Sequence, residues 1–438
     1  MALRTRYVAT GVAATTLMVA TIAVARIDPA RFSGGTDSPA LRVAVVLLLA
    51  FLIVLILRYV LLLWLGYLHH IESTGTTRGH GAQPPVTIIV PAYNEEAVIV
   101  PALRSLLDLE YDAFDVLVID DGSTDRTREL AMTLEGRYGA TTLRVVTRTN
   151  GGKASALNMG ITLARTPYVL CMDGDSRLDR GTLRHAMSHF ADPRVGAVSG
   201  NVKVVNRNNI WTRIQALEYI EGLNLARRAQ GFLRVVNIIP GPIGIFRRDV
   251  LLSVGGYDTD TFAEDADITL KILTAGWHIT YEARAIAWTE APESLLELIT
   301  QRYRWTRGIL QAMRKRASWI VAPRGGVAVW VSLLAMLFEA LIWPAVNILA
   351  NFLFAVAALS VGAISGIVAW WVLLTMLDAA AALYTVAMEE EDLRLVPYAI
   401  IYRILFITMI DVAKLFASVE EAANVRMTWG KLARAGRI

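Results

Sequence analysis

Cysteine is almost absent from this sequence. A single residue, Cys171, in 438 positions excludes any intrachain disulfide. It lies inside an apolar run, where a lone cysteine behaves as a small buried hydrophobe. No Cys/His cluster has the spacing of a zinc site. Charge is scarce too: 19% of residues are charged against 55% hydrophobic, a balance too apolar for an ordinary soluble domain. The formal net charge of +4 is spread along the chain rather than gathered in a patch, so nucleic acid is not an expected partner. No internal repeat or low-complexity segment is visible.

The excess of apolar residues is concentrated in long runs. Tyr7 to Ala25 and Leu41 to Leu68 each reach the roughly 20 residues that a helix needs to cross hydrocarbon. Arg58 falls near the end of the second run, where a long side chain can reach the interface. Arg4 and Arg6 favour a cytoplasmic N-terminus. Ala-Val-Ala at Ala23 to Ala25 leaves a cleaved leader as the alternative for the first run. Either way the second run remains a span and the middle of the chain faces the cytoplasm.

Beyond Gly326 the chain is apolar again. Gly326 to Gly362 is broken at Pro344, and reads either as two short helices (a re-entrant hairpin among them) or as one long tilted span. Ile367 to Ala387 and Tyr398 to Val419 read as two further spans, with Glu389-Glu390-Glu391-Asp392 between them. Arg426, Lys431, Arg434 and Arg437 suggest a cytoplasmic C-terminus, which an even number of crossings after the middle domain would satisfy. The expected organisation is a two-helix membrane region over 1–72, a globular domain over 84–322, and a membrane region of three to four helices with a basic tail over 323–438.

The middle segment differs in kind. Val86 to Val90, Val116 to Ile119, Leu143 to Val146 and Tyr168 to Met172 read as buried strands. Amphipathic stretches around Ala97 to Leu107, Asp125 to Leu134 and Ala154 to Ala164 read as helices between them. This alternation predicts an α/β, Rossmann-like domain with a mostly parallel sheet covered on both faces. Such sheets bind ligands beyond the carboxyl ends of their strands.

Carboxylates gather at those ends. Val116 to Ile119 runs into Asp120-Asp121-Gly122-Ser123, and Tyr168 to Met172 runs into Asp173-Gly174-Asp175-Ser176. Asp-Gly pairs also make plain turns. Two such clusters at successive strand ends point instead to a shared crevice, where Asp-x-Asp can hold Mg2+ or Mn2+ against a diphosphate. Lys153 follows Asn150-Gly151-Gly152 and opens a helix; it is either a solvated lysine or a phosphate contact. Glu264-Asp265 opens another helix, as a cap or as a general base. In Gln301-Arg302-Tyr303-Arg304-Trp305, Gln301, Arg304 and Trp305 share one helix face. The surrounding helix is basic and amphipathic, suited to the inner leaflet.

Val-Pro-Ala-Tyr-Asn-Glu-Glu at 90 to 96, Asp-Asp-Gly-Ser, Asp-x-Asp, Glu-Asp and Q-x-x-R-W occur in one order. Over Val86 to Gln311 the chain therefore resembles family 2 glycosyltransferases with a GT-A fold. The last motif, with flanking spans, is similar to that of processive polysaccharide synthases: cellulose, hyaluronan, chitin-oligosaccharide and poly-N-acetylglucosamine synthases. The resemblance implies that Ala92, Tyr93, Glu95 and Asp121 line a uridine pocket and that Lys153 and Arg304 contact the diphosphate. It implies that Asp173 faces the donor and, with Asp175, the divalent cation, and that Asp265 is the base. Trp305, Gln301, Gly241 and Glu264 fall on the acceptor side. The family's Thr-Glu-Asp is Ala263-Glu264-Asp265 here, a departure at a position that is not the base.

The resemblance further implies a processive, inverting transfer from a UDP-sugar donor, N-acetylglucosamine or glucose, onto a polysaccharide acceptor by a multi-pass protein of the cell membrane. Gly241-Pro242-Ile243-Gly244 is similar to hyaluronan and chitin synthases, so a hyaluronan-type heteropolymer stays open, as does transfer of one sugar to a lipid carrier. Extrusion would need polar or aromatic lining; Trp370, Trp371, Glu339 and Asp378 are the candidates. Accessory export or regulatory subunits are expected as separate partners, because no segment after the membrane region has room for a sensor domain.

Overall fold

A computed structural model of the chain describes residues 39–75, 83–322, 326–360 and 364–425, with isolated positions at 8, 11–13, 15–16, 18–19 and 436. Most of the first apolar run and most of the basic tail lie outside the described residues.

Nine strands form one sheet in the order β3-β4-β2-β1-β5-β8-β7-β9-β6. They are β1 (Val86–Ala92), β2 (Phe114–Asp120), β3 (Gly136–Tyr138), β4 (Thr141–Thr147), β5 (Tyr168–Cys171), β6 (Ser176–Leu178), β7 (Val195–Val204), β8 (Gly244–Arg247) and β9 (His278–Thr289). The four strands legible in the sequence, β1, β2, β4 and β5, pair in parallel. β8 then runs antiparallel to β5 and β7, while β9 runs parallel to β7.

The two-residue period of a strand sorts the core into two layers. Val86, Ile88 and Val90 of β1 and Val116 and Val118 of β2 belong to one hydrophobic cluster. Ile89, Leu117 and Ile119 belong to the other. Helix α1 (Ile99–Leu107) covers the first face and α2 (Lys153–Leu163) the second. Because β1 lies between β2 and β5, the chain leaves it on one side and returns on the other. The crevice at the carboxyl ends is therefore a topological switch point.

Four helical segments among the described residues are long and apolar enough to cross a membrane: Arg42–Ser73, Val327–Val356, Val368–Met388 and Leu393–Ala422. Around Pro344 the chain is one long helix, the second of the two readings. Val327–Leu337 passes through a π turn at Phe338–Ile342 into Trp343–Ser360. A π turn just ahead of a proline absorbs the hydrogen bond that the ring cannot make.

Phe51 stacks on Trp343 at 5.5 Å and Phe354 on Trp370 at 4.5 Å, locking the first described span to the later ones. Trp370 is thus buried, and its indole donates to Asn351. Glu339 is paired with Arg58 at 2.6 Å, and Asp378 with Tyr59 and Arg403.

Candidate active site

The acidic strand ends meet where the sheet switches direction. Asp120 ends β2 opposite Ala92 of β1, and the Asp121 amide donates to the Ala92 carbonyl at 2.8 Å. Ala92 is buried, whereas Tyr93 points outward and is 37% exposed. The Glu95 amide donates to Thr127 Oγ1. Asp121 is buried and accepts from the amides of Gly151 and Gly152, the latter at 2.7 Å, while Arg148 lies 3.2 Å away. The anion at the N-terminus of α2 is therefore Asp121 itself.

Lys153 opens α2 and turns into the crevice. Its Nζ lies 2.7 Å from Asp173 and 2.6 Å from Glu264. Burial pulls its pKa down, but Asp173, Glu264 and Asp265 outweigh that and hold the ammonium well above its ordinary value. It is not a solvated loop lysine. Asp173 and Asp175 flank a tight turn in which the Ser176 amide donates to the Asp173 carbonyl at 3.1 Å. Burial raises the Asp173 pKa, the Lys153 ammonium lowers it, and the negative charge of Asp175 raises it again.

Glu264 and Asp265 start helix α3 (Glu264–Thr274). The N-cap residue is Ala263, which makes no side-chain cap bond, so neither carboxylate serves as the cap. Asp265 accepts from the Ala266 amide at 2.8 Å. Burial, then the charge of Glu264, push its pKa from 3.8 up to about 6, with Lys153 opposing. A pocket opens here, walled by Lys153, Cys171, Asp173, Pro240, Gly241, Tyr257, Glu264 and Asp265. Gly241 is essential to its shape: a Cβ there would lie 2.7 Å from Asp173 and 2.8 Å from Lys153.

Helix α4 (Leu295–Lys315) carries Gln301, Arg304 and Trp305. Ser294 caps it by accepting from the Glu297 amide. Among the described residues the pocket wall includes neither Arg304 nor Trp305; α4 reaches the site through Gly308, against Ala263. Gln301 is buried and its side chain accepts from Arg302. Arg302, which no sequence motif singles out, is paired with Glu218, and its guanidinium stacks 4.1 Å above the Trp305 ring. The Tyr219 and Trp305 ring centroids lie 6.5 Å apart. The available signal for Arg302 was an arginine three residues before a tryptophan on one helix. Tyr257 belongs to no charged cluster and escapes a sequence reading, and the sequence marks Cys171 only as a small buried hydrophobe.

Among the described residues no three or more His, Cys, Asp or Glu side chains are grouped to hold a metal ion. The candidate cation ligands are the Asp-x-Asp pair, Asp173 and Asp175. That donor set fits Mg2+ or Mn2+, which take one or two carboxylates and complete their shell with water and phosphate oxygens. Burial, and after it the charge of Asp175, penalise the Asp173 carboxylate, and a dication would relieve both.

Residues 84–308 match the family described as glycosyltransferase like family 2. A poly-beta-1,6-N-acetyl-D-glucosamine synthase from Staphylococcus aureus is 35% identical over 224 residues, 51% of this chain and 54% of that protein. Its namesake from Staphylococcus epidermidis is 33% identical over the same length. The chain spans about half the length of these curated relatives. Among solved structures, a mannosyltransferase from Pyrobaculum calidifontis, in complex with GDP-Man and Mn2+, superposes with a TM-score of 0.61 at 23% identity. The match covers 88% of this chain and 100% of that one.

Proposed function

Because this chain belongs to the glycosyltransferase family 2-like proteins and carries their GT-A fold, we propose that it polymerises a UDP-activated sugar into a β-linked polysaccharide at the cell membrane. The observation that carries the proposal is Lys153 held between Asp173 and Glu264, with Asp265 beside them, at the switch point of the sheet. The relatives named above favour N-acetylglucosamine as the sugar.

Asp265 takes the proton of the acceptor hydroxyl. The freed oxygen bonds to the anomeric carbon from the face opposite the diphosphate, the carbon–oxygen bond to the diphosphate breaks, and UDP leaves with the electron pair. A carboxylate with pKa about 6 is suited to this work near neutrality. Lys153 exchanges a carboxylate partner for the diphosphate and neutralises charge on the departing group, and fixed charges of this kind carry a large share of catalysis. Asp173 and Asp175 would hold the divalent cation, which supplies Lewis-acid stabilisation of the leaving diphosphate. Ala92, Tyr93, Glu95 and Asp121 would line the nucleoside end of the crevice, and the resemblance alone assigns Arg304 to the diphosphate. Gly241 and Glu264 border the acceptor path, and Trp305, braced through Arg302 and Gln301, offers a flat surface to an acceptor sugar.

Multi-pass insertion with the catalytic domain in the cytoplasm, processive growth and extrusion complete the reading. Ion pairs Arg58–Glu339 and Arg403–Asp378 give the apolar bundle a polar seam of the kind that marks a path for polar cargo. Purified protein should release UDP from UDP-N-acetylglucosamine ahead of a panel of nucleotide sugars and yield long product. An Asp265→Asn chain should bind UDP and lose about 10²–10⁴-fold in turnover. Full activity in that variant would overturn the assignment of the base.

A further inference from the structure

Five arginines are buried among the described residues, and four of them face a carboxylate: Arg228 with Glu389, Arg302 with Glu218, Arg307 with Glu421 and Arg403 with Asp378. Arg227 is the exception. It is 8% exposed, and its only hydrogen bond among the described residues runs from Nη1 to Asn224 Oδ1 at 3.2 Å. An amide oxygen carries no net charge, so this guanidinium is buried without a paired counter-ion. Holding a cation that way is costly unless something else answers it.

Its position is fixed by the fold. A π turn over Tyr219–Asn224 leads into the helix Leu225–Phe232, and turns of this kind recur at functional sites. Asn224 Nδ2 donates to the Val202 carbonyl of β7 at 3.1 Å, so Asn224 ties Arg227 to the sheet. Burial pulls the pKa of the guanidinium down, and Tyr281, Tyr219 and Asp265 oppose that pull. Asp265 is the proposed base, and Tyr219 is the ring that approaches Trp305. Tyr281 is fully buried, and its hydroxyl has no hydrogen-bond partner among the described residues. Arg227 therefore joins the base to the aromatic pair on the acceptor side, with donors that the protein leaves unspent.

A guanidinium offers donors only, arranged in a planar fork. An oxygen that only accepts suits it best. A sugar hydroxyl suits it less, because the hydroxyl must also place its own proton. Sugars carry a purely accepting oxygen as an exocyclic carbonyl, either the acetamide of an N-acetylhexosamine or the carboxylate of a hexuronate.

We propose that Arg227 binds the acceptor sugar seated at Trp305 by donating to an exocyclic carbonyl oxygen, and so selects acceptors that carry one over plain hexose chains. The inference deepens the sugar-transfer reading and rests on it. The arriving oxygen supplies the compensation that no carboxylate of the protein provides, and the bond keeps the acceptor beside Asp265.

The test is binding and stability of the purified full chain held in UDP and Mn2+. Oligosaccharides of N-acetylglucosamine, of glucose, and of glucose ending in glucuronate are titrated by calorimetry. The parent chain should bind at least one carbonyl-bearing oligosaccharide about tenfold tighter than the glucose one, as a charged hydrogen bond implies. Which of the two it prefers identifies acetamide or carboxylate as the source of the oxygen. Arg227→Met should bring the three dissociation constants to within about twofold of one another. Its melting temperature without sugar should equal or exceed the parent's, because a buried charge with no pair has been removed. A purely structural arginine gives the reverse, a lowered melting temperature with the preference intact, and that result would overturn the proposal. A parent chain that binds the three alike, or none of them, would overturn it too. Should Arg227→Met melt lower and also lose the preference, Arg227→Lys decides. It keeps a donor and loses the fork, so a weakened preference supports the proposal and an undiminished one refutes it. Neither readout needs turnover, so absent UDP release, the failure of the sugar-transfer reading, is seen separately.

Discussion

Gly308 of α4 presses so closely on Ala263 that a Cβ at position 308 would lie 2.5 Å from the Ala263 backbone nitrogen. Two residues on, α3 presents Asp265. The helix of the Arg-Trp motif and the proposed base are therefore joined by a contact that has no room for a methyl group. The family's threonine is Ala263 here, and the small side chain suits this approach. Gly308→Ala should force the helices apart at a cost of about 1–3 kcal/mol. The expected outcome is a lowered melting temperature and at least a tenfold fall in polymer synthesis, with UDP binding retained, measured by calorimetry beside a UDP-release assay.

The pH dependence should follow Asp265. The base works only when deprotonated, so kcat/KM should rise with pH through about 6 and level off above it. Stability moves the other way. A carboxyl whose pKa is raised from 3.8 to about 6 on folding favours the protonated folded state. Its contribution is fully present below about 3.8 and is lost as pH passes about 6. Asp265→Asn has no charge to bury. It should match the parent chain in thermal stability at pH 4 and exceed it at pH 8, while showing no rise in activity between them.

How much of this was legible in the sequence depends on distance along the chain. β1, β2 and β5 announce themselves because they are short aliphatic runs buried in the sheet, and half-buried β4, one strand in from the edge, by Leu143, Val145 and Val146. Asp121, Lys153, Asp173 and Asp265 each stand at the end of a strand or the start of a helix, positions that local pattern marks. β7 is different: all ten of its residues are buried, yet it contains Asn201 and Lys203. Their partners, Glu389 and Glu391, lie almost two hundred residues away, so no window of hydropathy can recognise the strand. The same reasoning applies to Arg302, whose partner Glu218 is on another helix.

Removal of divalent cations should abolish turnover. Burial and then the charge of Asp175 raise Asp173, and the Lys153 ammonium that opposes them also serves Glu264. Chelation should lower UDP release to background, and added Mg2+ or Mn2+ should restore it. Asp175→Asn should need a higher cation concentration for half-maximal rate. The checking measurement is a cation titration of initial rate for both proteins; an unchanged half-maximal concentration would remove Asp175 from the cation site.

Polymer length should depend on Arg302. Trp305 can hold an acceptor sugar only if its ring is fixed, and Arg302 fixes it by stacking at 4.1 Å while Glu218 and Gln301 hold the guanidinium. Arg302→Lys keeps a positive charge beside Glu218 but loses the flat surface and the forked geometry. A stacked pair of this kind contributes about 0.5–2 kcal/mol, enough to raise acceptor dissociation roughly 2- to 30-fold. The variant should therefore release shorter polymer at a nearly unchanged rate of first transfer to a short oligosaccharide, and KM for acceptor should rise while kcat holds. Glu218→Gln should shift product length in the same direction by a smaller amount. Gel analysis of product size beside single-turnover transfer separates this from a general folding defect, which would depress both together.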